Sequence, residues 1–156
     1  MNRLTLSIAS ALVFAAAGVA LAGGHGGANP AVTARKAHMA LYQHNATPLF
    51  QMAKGDIEYD AEVASTAASN LAALTKLSHR GYWTPGTSTD DLGDQTRALP
   101  ALWQEGSKAG EYGGKLAEAA DALAAAAGNG KEAMVGALGP VGQACTSCHE
   151  DYRQPR

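Results

Sequence analysis

Apolar residues recur along this chain at alternating steps of three and four. That is the spacing of one helix face rather than the period of two of a strand. Four segments carry such stripes. The first is expected from Pro30 to Lys54 with Gly55 as its stop, and its stripe reads Val32, Arg35, Met39, Tyr42, Ala46, Leu49, Ala53. Pro48 is expected to kink it or to begin its last turns. The second follows Asp60 as N-cap and runs to about His79 through Ala64, Ala67, Leu71 and Leu74. The third opens with Pro100 in its first turn and runs to about Ala127 through Leu102, Gly106, Ala109, Gly113, Leu116, Ala120 and Leu123; Gly128-Asn129-Gly130 ends it. The fourth spans Lys131 to Arg153, bent at Gly139-Pro140, with Met134, Leu138, Val141, Cys145, Cys148 and Tyr152 in line. A Gly/Pro/Thr/Asp-rich stretch from Gly81 to Ala98 reads as a long loop containing Trp83. Strand signals are scarce, so the expected fold class is all-α, an antiparallel four-helix bundle.

The start of the chain does not belong to that bundle. Arg3 precedes an almost wholly apolar run from Leu4 to Ala22, and Ala20-Leu21-Ala22 has the small-x-small form of a signal peptidase site. Residues 1–22 are therefore read as a signal peptide and 23–29 as a Gly-rich flexible lead, with the helical domain at 30–156. The competing reading is a retained membrane anchor, since the run is long enough to span. Cleavage leaves a soluble, exported product.

Composition narrows the classes. Of 156 residues, 46% are hydrophobic, which supports one domain with its own core and argues against a disordered chain. The net charge of −2 gives no basic excess for nucleic acid. Two cysteines cannot staple a small scaffold. The stripes hold many Gly and Ala, and Ala contributes far less burial than the roughly 1.5–3 kcal/mol of a Leu. A bundle so poor in large side chains leaves room for a planar cofactor.

The strongest chemical signal is Cys145-Thr146-Ser147-Cys148-His149. Two thiols separated by two residues can add to the two vinyl groups of haem, and the adjacent histidine can then reach the iron. Three other readings compete. A redox dithiol wants a helix N-terminus, whereas this pair lies in the last turns of its helix. A structural zinc needs four ligands, and His25, His38, His44 and His79 are dispersed. A disulfide leaves His149 unexplained. Covalent haem takes precedence.

With these residues in view, the sequence resembles the class II c-type cytochromes, the group of cytochrome c′ and its low-spin relatives, over about Val32 to Arg153. The match is carried by Gln143-Ala144-Cys145-Thr146-Ser147-Cys148-His149-Glu150-Asp151-Tyr152-Arg153 and by Pro100-Ala101-Leu102-Trp103. The resemblance implies a four-helix bundle, one haem c attached through Cys145 and Cys148, His149 as proximal ligand, and a frequent homodimer. In that family a basic residue is often followed four residues later by the side chain that meets the distal iron face. Arg35 and Met39 stand in that relation, Arg35 as a hydrogen-bond donor to a haem propionate. The resemblance to low-spin members implies iron ligated by His149 and Met39. Cytochromes c′ usually carry a non-coordinating residue there and leave the iron five-coordinate. His38, one residue off the stripe, is the rival sixth ligand and is expected at the surface. Arg153 is expected to flank the proximal haem face, and Trp103 and Tyr152 read equally as haem-packing or core.

The expected function is a periplasmic electron-transfer haem protein, exchanging electrons with redox partner proteins through transient interfaces, with no enzymatic substrate and no membrane contact after signal cleavage. The alternative of a different class is a five-coordinate protein that binds or senses nitric oxide or carbon monoxide.

Overall fold

The computed structural model describes residues 27–155, so the signal peptide expected at 1–22 and most of the lead at 23–29 lie outside the described residues. Four long helices carry the fold: α1 (Pro30–Lys54), α2 (Ala61–Thr75), α4 (Ala109–Ala126) and α5 (Lys131–Tyr152). A short α3 (Thr89–Leu92) and two 3-10 turns, Gly93–Gln95 and Pro100–Trp103, lie between α2 and α4. Among the described residues there is one isolated bridge, Ala98 with Arg153, and no helix long and apolar enough to cross a membrane.

Local chemistry sets the helix ends. Asn29 Oδ1 accepts from the backbone N–H of Ala31 and Val32, and Pro30 occupies the first turn where its missing N–H is harmless. Gly55, at φ 84°, ends α1 in the left-handed conformation that glycine adopts without strain. Asp60 caps α2 through hydrogen bonds of 2.9 Å from the N–H groups of Glu62 and Val63. Both α1 and α5 continue through their internal prolines, Pro48 and Pro140.

Two boundaries differ from the sequence expectation. The second helix stops at Thr75 rather than near His79: Lys76 and Leu77 close it with bonds to the carbonyls three residues back, and His79 leaves to pack against α1. The third long helix starts at Ala109, not Pro100. Pro100 does open a helical turn, but a 3-10 one; the Trp103 indole then donates to the Trp83 carbonyl (3.0 Å), and Gly106 turns the chain at φ 81°. Leu102 and Gly106 therefore lie outside the helix.

The four long helices alternate in direction. Asn45 of α1 meets Asn70 of α2, and Gly128 beyond α4 lies against Ser65 of α2. Tyr112 of α4 bonds Asp151 of α5, while Phe50 of α1 touches Gly142 of α5. Leu49, Met52, Leu123, Met134 and Val141 are the largest fully buried side chains, and Ala64, Ala67, Ala68, Ala72, Ala119, Ala120 and Ala127 fill the closer approaches. This is the small-residue core foreseen from composition.

The buried face of α1 is broader than the expected stripe. Val32, Arg35 and Leu49 of that stripe are buried and Tyr42, Ala46 and Ala53 pack half-buried against the core, while His38, Asn45 and Met52 are buried beside them. A count of apolar residues passes over His38 and Asn45.

The end of α1, the start of α2 and the α4–α5 turn are tied by one hydroxyl. Tyr59 donates to the Ala127 carbonyl (2.7 Å) and accepts from the Gly130 N–H (3.0 Å). Tyr59→Phe is expected to cost about 1–2 kcal/mol, because a half-buried carbonyl and N–H lose their partner. Urea unfolding should show a lower midpoint at unchanged slope, and an unchanged midpoint would contradict the role given to this hydroxyl.

Candidate haem site

Cys145 and Cys148 stand on consecutive turns of α5, half-buried and unpaired as a disulfide. Burial pushes both thiols above the usual range; for Cys148 the charges of Cys145 and Asp151 push the same way. These are poor thiolates at neutral pH, the opposite of what a dithiol redox pair requires. His149 follows, half-buried, with its imidazole held below the ordinary histidine range by burial first and then by the positive charges of Arg153 and Arg97. The neutral form so favoured is the one that ligates a metal. Arg153 is exposed, and its backbone N–H closes α5 on the His149 carbonyl (3.1 Å).

Helix α1 faces this motif in antiparallel register. Tyr42 lies close enough to Cys145 for that thiol's charge to add to burial in pushing the phenol up to about 12. His38 and Met39 are three to four residues, about 5 Å, further along α1, and the same distance along α5 from Cys145 reaches Cys148 and His149. Met39 and His149 therefore stand at one level of the bundle.

One turn before Met39, Arg35 is only 5% exposed. One guanidinium nitrogen donates to the Tyr82 carbonyl (3.2 Å) and Thr87 Oγ1 (3.1 Å), the other to the Thr87 carbonyl (3.0 Å) and Thr96 Oγ1 (2.8 Å). Its carbon lies 4.9 Å from the Trp83 ring and 5.8 Å from that of Trp103, within cation–π range. Desolvation lowers its pKa, and no carboxylate among the described residues pairs with it.

His38 departs most from the sequence expectation. Expected at the surface, it is 4% exposed, wedged among the rings of Tyr42 (4.4 Å between centroids), His79 (4.6 Å) and Tyr82 (5.7 Å). The histidines are dispersed in sequence, yet the fold brings these two together. The Nε2 atoms of both are buried without a hydrogen-bond partner.

The sequence singles out the α5 motif, Arg35 and Met39 and passes over the loop residues that surround Arg35 and His38. Trp83 stacks on Arg35, and its carbonyl accepts from the Trp103 N–H. Tyr82, Thr87, Thr96 and His79 were equally silent, because loop side chains carry no periodicity. Their only sequence signal is the presence of aromatic and histidine residues in a stretch otherwise built of turn formers.

The donor set fits a haem: paired half-buried thiols, a neutral histidine beside them, a buried cation lacking an anion, and orphaned imidazole nitrogens opposite. Comparison with known proteins agrees. The profile of the family described as Cytochrome C' matches residues 30–153. Cytochrome c' of Cereibacter sphaeroides is 39% identical over 156 residues, covering 100% of both chains. The solved structure of cytochrome c' from Rhodobacter spheriodes superposes with a TM-score of 0.77 at 41% identity, covering 81% of this chain and 96% of that one. A nitric oxide complex of a cytochrome c prime variant from Alcaligenes xylosoxidans does so with a TM-score of 0.68 at 25% identity, covering 81% and 94%. The chain belongs to the cytochrome c′ family, an all-α class II c-type cytochrome whose one haem c is attached through Cys145 and Cys148.

Proposed function

We propose that this protein is an exported, periplasmic haem protein that binds a small diatomic gas, nitric oxide or carbon monoxide, on the distal face of its iron. The observation that carries this reading is the match of residues 30–153 to the cytochrome c′ family, and the nitric oxide complex of a solved relative supports it. When bound, the haem supplies an iron that changes oxidation state and can take a gas as ligand.

The chain's own residues divide the remaining work. Cys145 and Cys148 hold the group covalently, and His149 is the proximal ligand. Arg35, caged by Trp83 and Trp103, offers its charge to a propionate carboxylate. Arg153 follows His149 by one turn, and its charge adds to burial, with Arg97, in holding that imidazole below the ordinary histidine range. Leu41 and Val63, exposed on α1 and α2, are the residues of those helices offered to a homodimer contact.

The second reading makes the protein an electron carrier serving redox partners, with Met39 as sixth ligand. What favours it is the level shared by Met39 and His149 and the four-residue step from Arg35. A soft thioether there raises the reduction potential and leaves little to reorganise on electron transfer.

Three measurements test these roles. The reduced holoprotein is expected to bind carbon monoxide readily and the ferric form to show a high-spin spectrum that Met39→Ala leaves unchanged. A low-spin ferric spectrum converted to high-spin by that substitution would assign Met39 to the iron. Replacing both Cys145 and Cys148 by Ser should release the haem to acidified organic solvent, from which the wild type retains it. Arg35→Leu strands four buried or half-buried acceptors and is expected to destabilise the holoprotein by about 2–4 kcal/mol in denaturant unfolding. Arg35→Lys should not rescue it, since an ammonium cannot span Tyr82, Thr87 and Thr96 at once.

A further inference from the structure

The two orphaned imidazole nitrogens opposite the cysteine motif need a partner. A buried donor left unmade costs about 1–3 kcal/mol, and native interiors rarely tolerate one. His38 cannot turn away to find water. Its ring is held edge-on by Tyr42 and His79 and backed by Tyr82, and only 4% of the residue is exposed. It follows Arg35 by three residues on the buried face of α1 and, next to Met39, lies at about the level of His149. A neutral imidazole in this position has one N–H to give.

We propose that His38, braced by His79, is a specificity-determining residue of the distal pocket. Its Nε2–H donates a hydrogen bond to the ligand bound opposite His149, favouring ligands whose outer atom accepts such a bond over carbon monoxide. The inference rests on the gas-binding reading above and adds the chemistry by which that site discriminates. The wall facing the ligand is polar, built from an imidazole pair and two phenols. The pair acts as one unit, because His79 and Tyr82 of the loop fix the ring that α1 supplies.

The test uses the holoprotein, with carbon monoxide as a vibrational probe and cyanide as a hydrogen-bond-accepting anion. A donor beside bound carbon monoxide lowers its C–O stretch. His38→Leu is therefore expected to raise that stretch and to weaken cyanide binding to the ferric protein about tenfold, the worth of one hydrogen bond, with carbon monoxide affinity changed much less. His38→Gln keeps an N–H at a similar reach and should restore the low stretch, which guards against a Leu variant that folds poorly. His79→Phe, which removes the brace, should broaden the band. An unchanged stretch and unchanged cyanide affinity in His38→Leu overturn the proposal while leaving the gas-binding reading intact. A wild type that refuses carbon monoxide until Met39 is replaced overturns the gas-binding reading, and this one with it. If His38→Leu instead turns a low-spin ferric spectrum high-spin, the residue is an iron ligand and the hydrogen-bond role is wrong.

Discussion

A buried guanidinium is the constraint on which α1 and the long connection between α2 and α4 depend. Arg35 is out of water and has no carboxylate among the described residues, so its charge is tolerable only through its hydrogen bonds and the two indole faces around it. The acceptors come from Tyr82, Thr87 and Thr96, which span the long connection between α2 and α4. Satisfying one side chain of α1 therefore folds that connection down over it. The same fold carries His79 and Tyr82 onto His38, brings Trp83 to Trp103, and leads the chain to residues 97–99, where it pairs with the end of α5. A loop of this composition has little apolar area to order itself, and the cation supplies what hydrophobic burial does not.

The bundle and the cofactor motif were legible in the sequence for different reasons. Four segments with a helical period and few strand formers specify the architecture, and Asn29, Asp60 and Gly55 mark helix ends by capping chemistry that acts locally. The cysteine–histidine motif is legible because the chemistry needs adjacent residues on one helix. The failures share one physical cause. The breadth of α1's buried face and the start of the third long helix depend on polar or aromatic side chains with distant partners. His38 is buried because four rings meet, and Asn45 because Asn70 answers its amide. Trp103 stops a helix because Trp83, far earlier in the chain, accepts its N–H. Hydrophobic counting sees none of these.

The two sides of the site differ in construction. The motif side is a single helix, with both thiols and the imidazole on neighbouring turns of α5, closed at its end by Tyr152, whose hydroxyl accepts from the Lys108 N–H (2.7 Å). The other side is assembled from α1 and a loop, and its residues are held by hydrogen bonds and ring contacts rather than by one backbone.

The Asn45–Asn70 pair, described above only as a junction between α1 and α2, has a consequence for how this sequence can drift. An interface of alanines offers many nearly equivalent packings, since one small side chain replaces another with little loss as helices slide by a turn. The amide pair has one setting: Asn45 Nδ2 donates to the Leu41 carbonyl (2.9 Å) while its oxygen accepts from Asn70 (3.0 Å). A slip of one turn, about 5.4 Å, parts the two amides. Aliphatic positions around it are free to exchange among themselves, whereas this polar pair acts as a positional memory. It keeps α1 level with α2 however the surrounding alanines change.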